Sequence, residues 1–291
     1  MSSASPTRRS HGRRFLRAAA PRWALRATGR LDDGGIGMPP PAPSCPPGWR
    51  TGPPDFVGIG VQRAGTTRWY DLIAAHPEVA QPTVEKELHY FDRYYAGGCT
   101  RSALAEYHRY FPTDGRRKVG EWTPLYLCAP WVPKLLAAAA PDARLLLSLR
   151  DPLERYLSGL EHSARIAGEN GAPQSRHAPL DAFMRGFYHA QIERLLQYFD
   201  RSQVLLLQYE RCAEEPLGEL RRTFEFLGLE DLEFKPDVYA RPNASRRDKP
   251  TFDADTHKSY VDAYSEDVVR LVSAFPEIDV SLWPNFAHLA G

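Results

Sequence analysis

The sequence predicts an α/β fold with a central parallel sheet and helices on both of its faces. Three short apolar runs, "FVGIGV" (56–61), "RLLLSL" (144–149) and "VLLLQY" (204–209), have the length and composition of strands buried on both faces. Longer segments at helical period separate these runs, and strands that alternate with helices favour a parallel sheet. In such a sheet the ligand crevice lies at the carboxyl ends of the strands, so the residues just after each run are the first candidates for function.

The predicted elements follow one another along residues 55–291, which we expect to form a single domain. The first run is followed by a helix over 66–75, where Trp69, Leu72 and Ile73 recur at helical spacing. The second run leads directly into another helix. The remaining apolar patterns predict helices at 102–110, 131–140, 152–168, 180–200, 216–228 and 255–274. The first two strand exits are therefore each followed by the beginning of a helix.

Residues 1–54 have the composition of a disordered tail. They carry nine Arg and two Asp, and they end in the proline-rich stretch "MPPPAPSCPPGWRTGPP". Prolines remove backbone donors and favour extended, solvated chain. Arg22, Arg26 and Arg30 interrupt any apolar core of an export signal, although an organelle transit peptide stays open as an alternative. We place the predicted domain boundary between residues 54 and 55.

Charge and composition exclude several classes of function. The net charge of residues 55–291 is −6, which disfavours nucleic-acid binding because that function needs a broad basic surface. No window reaches the roughly 20 apolar residues that a membrane span requires, so we expect a soluble, cytoplasmic protein. The spacing of the cysteines suggests neither a zinc site nor a disulfide framework, and we expect no metal; these residues are Cys45, Cys99, Cys128 and Cys212.

The turn after the first apolar run has the shape of a phosphate-binding loop without its lysine. "GVQRAGTT" (60–67) overlays the pattern Gly-x4-Gly-Lys-Ser/Thr, with a threonine at the lysine position. Because that lysine reaches the β and γ phosphates, this loop should not process a nucleoside triphosphate. Glycine still lets the backbone approach an anion, and the following helix contributes its positive N-terminus. An ordinary turn is the alternative to a 5′-phosphate site formed by Arg63, Ala64, Gly65, Thr66 and Thr67.

A second anion site is predicted after the second apolar run, in "RDPLERYLSGLEH" (150–162). Asp151 and Pro152 are favourable residues for the cap and first position of a helix, which leaves Arg150 at the mouth of the crevice. Arg155 and Ser158 lie on one face of that helix. Arg150 and Ser158 could together bind a second phosphate, and an ordinary capped helix with exposed arginines is the alternative.

The two segments together resemble the signature of sulfotransferases that use 3′-phosphoadenosine 5′-phosphosulfate (PAPS). The loop is similar to their 5′-phosphosulfate-binding loop, and Arg150 with Ser158 match the pair that these enzymes place on the ribose 3′-phosphate. "EKELHYFD" (85–92) and "VGEWTPLYL" (119–127) resemble segments of the heparan-sulfate and other carbohydrate sulfotransferases and of their soluble bacterial relatives. The likeness runs in order over residues 55–230. It implies a sulfotransferase domain with a P-loop-like fold, PAPS as co-substrate and no required metal.

The resemblance also implies roles for individual residues. Glu87 falls where the carbohydrate enzymes have their general base, and His89 is the alternative base because cytosolic sulfotransferases use histidine. His89 could instead orient Glu87, and Asp92 is expected to orient its neighbours or contact the acceptor. Arg63 stands where the carbohydrate enzymes have a lysine on the leaving phosphate, and arginine there resembles the tyrosylprotein sulfotransferases.

Two further observations bear on the site. Trp122 replaces a lysine that helps the heparan-sulfate enzymes bind donor or substrate, and we consider Arg68 and Lys86 as the residues that could supply that charge. "RPNASRRDKP" (241–250) resembles the late basic loop that closes over the 3′-phosphate. Its candidate lid residues are Arg246, Arg247 and Lys249.

The acceptor is expected to be a small molecule or glycan, and the transferred group goes to a hydroxyl of a carbohydrate, lipid or secondary metabolite. Two alternatives remain open at this point. One is a phosphotransferase with an altered loop, and the other is a nucleotide-binding protein without catalytic activity. The oligomeric state is not predicted.

Overall fold

The computed structural model describes residues 39–82, 84, 86–169, 171, 176–230 and 250–290. Its strands are β1 Arg50–Thr51, β2 Phe56–Gly60, β3 Pro112–Thr113, β4 Gly120–Trp122, β5 Arg144–Leu149 and β6 Val204–Gln208. The central sheet has the order β4-β2-β5-β6, and its neighbouring strands run parallel. The predicted parallel sheet is therefore confirmed, with one additional strand at its edge.

Most helices of the described chain fall close to their predicted positions, although the short helix that follows β6 was not predicted. They are α1 Thr66–Ala74, α2 Arg101–His108, α3 Val132–Ala139, α4 Pro152–Glu169, α5 Ala178–Met184, α6 Tyr188–Leu195, α7 Tyr209–Glu214, α8 Pro216–Leu227 and α9 Ala254–Ala274. Within the described ranges, no helix combines the length and apolar composition that a membrane span needs.

The prediction of one helix over 180–200 is wrong, because this segment forms α5 and α6 with a break between them. Gly186 lies in the break, and a Cβ atom at this position would lie 2.6 Å from Cε1 of Tyr264. The close approach of α9 therefore requires a glycine where a continuous helix would carry a side chain. The predicted strand 204–209 also ends one residue early, because Tyr209 begins α7.

Buried side chains form a core on each face of the sheet. Along β5 the side chains alternate between these cores, as expected for a strand covered on both sides. The larger core includes Val57, Ile59, Leu145, Leu147 and Leu206, and the second includes Phe56, Trp69, Ile73, Leu146, Leu205 and Leu207. Helices thus cover both faces, as predicted.

Edge strand β4 escapes sequence-based prediction because it is only three residues long and contains a glycine and a glutamate. It pairs with β2 in a register that joins Gly58 to Trp122. The indole of Trp122 is fully buried, and a Cβ atom at Gly58 would lie 2.0 Å from its Cδ2 atom. Trp122 is therefore a packing residue of the sheet.

Ordered structure begins before the predicted boundary at residue 55. β1 pairs antiparallel with β3, and the hydroxyl of Tyr110 donates a hydrogen bond to the carbonyl of Pro40. Proline-rich chain can thus be held in place by contacts that do not need its own backbone donors. Residues 1–38, the rest of the predicted tail, lie outside the described residues.

Candidate active site

The loop between β2 and α1 is fixed by its neighbours in the sheet. The Val61 N–H donates to the carbonyl of Ser148 (3.0 Å), and the Ser148 hydroxyl donates to the carbonyl of Ala64 (2.6 Å). Gly65 has a φ of 74°, and a Cβ atom there would lie 2.9 Å from the ring of Tyr209. Both constraints require glycine at this position.

The side chain of Arg63 points from this loop toward α4. Its Nε donates to the hydroxyl of Ser158 over 3.1 Å. Burial lowers the pKa of Arg63, and the nearby charge of Glu161 opposes that effect while those of Arg150 and Arg165 add to it. Arg63 also has a φ of 72°, which side chains rarely adopt and which is typical of functional loops.

Arg150 completes a cluster with Arg63 and Ser158, which we call the arginine cluster. Its Nη1 donates to the carbonyl of Arg63 (3.1 Å), and its guanidinium lies 4.7 Å from the ring centre of Tyr209. Arg63, which belongs to the first predicted anion site, therefore contacts both residues of the second, Arg150 and Ser158. The predicted helix cap is confirmed, because Asp151 Oδ1 accepts from the N–H groups of Leu153 and Glu154.

Arg155 is not one of the exposed arginines that an ordinary capped helix would carry. Its side chain is fully buried and donates to the carbonyl of Ala182 in α5. Because α5 packs on α4, this face of the helix is covered.

A second cluster lies before and within the 3₁₀ helix at Asp92–Tyr94, and we call it the charge row. Lys86 Nζ lies 2.9 Å from Glu87 Oε1, and His89 Nε2 lies 3.3 Å from Glu87 Oε2. His89 Nδ1 lies 2.5 Å from Oδ2 of the buried Asp92. Positive and negative side chains thus alternate along Lys86, Glu87, His89 and Asp92. Glu87 and His89 both have positive φ angles, 70° and 52°.

Contacts within the row set the protonation states of Glu87 and His89. Burial alone would raise the pKa of Glu87, but the hydrogen bond to His89 and the charge of Lys86 lower it to about 2. Burial alone would lower the pKa of His89, but its hydrogen bonds to Asp92 and Glu87 raise it to about 9. At neutral pH Glu87 is therefore an anion and His89 a cation.

Residues of β4, of α2 and of the turn after β4 form hydrogen bonds that support the charge row. The backbone N–H of His89 donates to the hydroxyl of Thr123 (3.3 Å), which donates to the buried carboxylate of Glu121 (2.6 Å). The hydroxyl of Tyr107 donates to the same carboxylate over 2.9 Å. Burial raises the pKa of Glu121, and these donors oppose that effect. The segment 119–127 was singled out by resemblance alone, and this support was not predicted.

Lys86 connects the charge row to the loop. Its Nζ lies 3.5 Å from Oγ1 of Thr66, the first residue of α1. Thr66 is buried, while Thr67 is exposed. The predicted lid residues Arg246, Arg247 and Lys249 lie outside the described residues. Among the residues that the structure describes, no group of three or more His, Cys, Asp or Glu side chains could hold a metal ion.

Comparison with models of known protein families shows which family this chain belongs to. The model of the sulfotransferase domain matches residues 53–237. The chain belongs to the sulfotransferase family. The family is the one that the sequence motifs predicted, and the loop and the charge row both lie within the matched residues.

Known sulfotransferases match this one in sequence and in fold. Heparan sulfate glucosamine 3-O-sulfotransferase 6 of Homo sapiens is 31% identical over 65% of this chain and 57% of its own length. Heparan sulfate glucosamine 3-O-sulfotransferase 3B1 of Mus musculus is 30% identical over 62% of this chain and 47% of its own length. The chain thus spans about half the length of these relatives. A crystal structure of a sulfotransferase from Alicyclobacillus acidocaldarius shares the fold, with a TM-score of 0.62, 24% identity, and coverage of 79% of this chain and 98% of that one.

A C-terminal segment of this sulfotransferase, Asp279–Asn285, binds the exits of β5 and β6, and we call it the C-terminal clasp. The backbone of Asp279 exchanges two hydrogen bonds with the side chain of Gln208. The indole of Trp283 donates to Glu210, and Asn285 donates twice to Asp151. Burial raises the pKa of Glu210 to about 7. No motif in the sequence indicates this segment, because its partners lie far away along the chain.

Replacing Asp92 with Asn is expected to lower the pKa of His89. The neutral amide removes the negative charge that holds the imidazolium, so the titration midpoint should fall from about 9 toward the ordinary value of 6.5. Because the folded pKa of His89 is raised, this residue contributes stability that is fully present below pH 6.5 and is lost as the pH rises through about 9. Histidine NMR titration of the unaltered protein and of Asp92→Asn measures both midpoints.

The matched control is Asp262→Asn, which removes an exposed carboxylate from α9. This control should leave the titration of His89 unchanged. A midpoint near 6.5 in the unaltered protein would contradict the protonation states assigned to the charge row.

Proposed function

We propose that this protein transfers the sulfuryl group of PAPS to a hydroxyl group of a carbohydrate, with Glu87 as the general base. The observation that carries the proposal is that a single lysine contacts both the loop and the ionised carboxylate of Glu87. Lys86 Nζ lies 3.5 Å from Thr66 and 2.9 Å from Glu87, so an anion at the loop and a base lie on either side of one lysine. The relatives named for heparan sulfate glucosamine support a carbohydrate acceptor.

The residues at the exits of β2 and β5 fit a donor with two separate anionic ends. Three cations and two hydroxyls gather there without a metal site among the described residues. A 5′-phosphosulfate fits the loop and the N-terminus of α1, while a 3′-phosphate fits Arg150 and Ser158. Bound PAPS supplies a sulfuryl group that is already activated by its link to phosphate.

The protonation states in the charge row support Glu87 as the acceptor of the proton. The acceptor hydroxyl gives its proton to the carboxylate as its oxygen forms a bond to sulfur. The bond between sulfur and the 5′-phosphate oxygen breaks, and its electron pair stays on that oxygen. His89 is a poor acceptor of the proton because its pKa of about 9 keeps it protonated at neutral pH. We therefore assign His89 and Asp92 to the positioning of Glu87.

The alternatives are less well supported. A phosphotransferase is not favoured, because the family model that matches is that of the sulfotransferase domain and the loop lacks the lysine for a triphosphate. A protein without catalytic activity would not need the charge row, in which Glu87 and His89 have strained φ angles. The predicted cytoplasmic location stays a prediction.

Isothermal titration with 3′-phosphoadenosine 5′-phosphate (PAP), the product nucleotide, tests the donor. We expect micromolar or tighter binding without magnesium, and a loss of about 2 kcal/mol, or roughly thirtyfold in Kd, in Arg150→Ala. Arg144→Ala is the matched control, because it removes an exposed arginine from the opposite end of the same strand. No binding at millimolar PAP, or binding of ATP with magnesium in its place, would overturn the proposed donor.

A further inference from the structure

The backbone of segment 87–90, which carries Glu87 and His89, has a strained conformation. Both residues have φ angles in the left-handed region, which residues other than glycine seldom adopt. Such angles persist only where surrounding contacts fix them. The contacts within the charge row join side chains to one another and do not involve this backbone. The backbone must therefore be held by another part of the chain.

Two hydroxyl groups of the turn that follows β4 accept hydrogen bonds from this backbone. The N–H of His89 donates to Thr123 Oγ1 (3.3 Å), and the N–H of Tyr90 donates to the hydroxyl of Tyr126 (2.9 Å). The side chains of Thr123 and Tyr126 are fully buried, and burial strengthens such hydrogen bonds. We call residues 123–126 the hydroxyl turn. It holds two consecutive N–H groups of the strained segment.

Glu121 determines the direction in which these hydroxyl groups point. Its carboxylate accepts from Thr123 (2.6 Å) and Tyr107 (2.9 Å), and Tyr126 also forms a hydrogen bond with it. These three donors favour the ionised carboxylate, which can only accept hydrogen bonds. Each hydroxyl therefore turns its hydrogen toward Glu121. The lone pairs of Thr123 and Tyr126 are then available to the N–H groups of segment 87–90.

The hydroxyl turn is also bound to the strand that leads into the loop. The N–H of Thr123 donates to the carbonyl of Gly58 (2.8 Å), and the N–H of Leu127 donates to the carbonyl of Ile59 (2.8 Å). Gly58 and Ile59 belong to β2, and the loop follows that strand directly. The turn thus contacts both the strand that carries the loop and the backbone that carries the charge row.

We propose that Thr123 and Tyr126 are positioning residues that hold Glu87 and His89 at a fixed place relative to the loop, with Glu121 directing their hydroxyl groups. The effect on turnover rests on the proposed function, because the transfer needs the base within reach of the acceptor hydroxyl while the donor is in place. Thr123, Tyr126 and Glu121 are buried, and none of them belongs to the loop or the arginine cluster. Donor affinity should therefore not depend on them.

Thr123→Val tests the proposal, because it keeps the shape of the side chain and removes the hydroxyl. Transfer of radiolabelled sulfate from PAPS to desulfated heparan sulfates measures turnover, and isothermal titration with PAP measures donor binding. We expect kcat to fall about tenfold or more, while Kd for PAP stays within about twofold of the unaltered protein. Thr123→Ser restores a hydroxyl and should recover most of the turnover.

Histidine NMR titration of Thr123→Val gives a readout that does not depend on catalysis. When the backbone of His89 is released, the contacts of its ring with Asp92 and Glu87 weaken. The titration midpoint of His89 should therefore fall from about 9 toward the ordinary value of 6.5. Tyr126→Phe removes the other hydroxyl and should have the same two effects, so it replaces Thr123→Val if that variant does not fold.

Tyr107→Phe is the matched control. It removes a hydroxyl that donates to the same carboxylate, but this hydroxyl is not one of the two that accept from segment 87–90. Urea unfolding should show a loss of stability for Tyr107→Phe as well as for Thr123→Val, because each leaves Glu121 with one donor fewer. The control should nevertheless keep the midpoint of His89 and most of the turnover.

The outcomes separate this inference from the proposed function. If Thr123→Val leaves the midpoint of His89 unchanged, or lowers kcat no more than Tyr107→Phe does, the positioning role is overturned and the proposed function stands. If the unaltered protein neither binds PAP nor transfers sulfate, the proposed function is overturned. The titration of His89 then decides alone whether the hydroxyl turn holds the charge row.

Discussion

Replacing Glu87 with Gln is expected to reduce kcat roughly 10²- to 10⁴-fold while the affinity for PAP is retained. The amide cannot accept the proton of the acceptor hydroxyl, but it keeps the size of the carboxylate and can still contact Lys86. The loop and the arginine cluster, which we propose to bind the nucleotide, do not include Glu87. The loss should therefore appear in turnover and not in donor binding.

Transfer of radiolabelled sulfate from PAPS to a panel of selectively desulfated heparan sulfates measures this effect. PAP titration of the same preparations shows whether the site remains intact. Glu266→Gln is the matched control, because it removes an exposed carboxylate from α9. If Glu87→Gln keeps more than about a tenth of the turnover, the general base lies elsewhere in the crevice, and His89→Gln becomes the next variant to test.

Gly58→Ala is expected to destabilise the fold by about 3 kcal/mol or more, at the upper end of the range for overpacking. The added methyl group would lie 2.0 Å from Cδ2 of Trp122, within a sheet whose strands are buried on both sides. Neither backbone can move away without breaking the register of β2 and β4. Trp122→Ala alone should also cost about 3–5 kcal/mol, because it leaves a cavity.

Urea unfolding of Gly58→Ala, Trp122→Ala and the double variant tests the contact. The double variant should lose less stability than the sum of the single variants, because the new methyl group occupies part of the space that the indole leaves. Ala137→Gly, in α3, measures an ordinary loss of a methyl group for comparison. Additive losses would show that the two positions do not share this space.

The fold was predictable where local pattern and tertiary packing agree. The runs at 56–61 and 144–149 contain a single buried polar side chain, that of Ser148, so their strand character is visible without knowing their neighbours. The capping hydrogen bonds of Asp151 come from residues that follow it directly in the chain, so the cap is visible in the local sequence. The loop could be placed for the same reason, since its glycine, hydroxyls and arginine are consecutive.

Features that depend on distant partners could not be predicted. Nothing in the sequence near Gly186 shows that Tyr264 lies against it, so the break between α5 and α6 was missed. The direction of Arg63 likewise depends on Ser158, and its role was transferred from relatives that carry a lysine at this position. The four residues of the charge row are close together in the sequence. Their pairing, however, accompanies positive φ angles at Glu87 and His89, which the sequence does not indicate.

The C-terminal clasp offers a way to tune the enzyme without altering the residues proposed to touch its substrates. Asn285 donates a hydrogen bond to the Asp151 carboxylate, which caps α4. Trp283 donates to Glu210, and the guanidinium of Arg150 lies over the ring of the preceding residue, Tyr209. Substitutions along 279–285 would thus shift the arginine cluster by small amounts while leaving every proposed ligand contact chemically intact. A library of variants in this segment could adjust product release separately from the chemical step, and selection for turnover would reveal which of the two limits the rate.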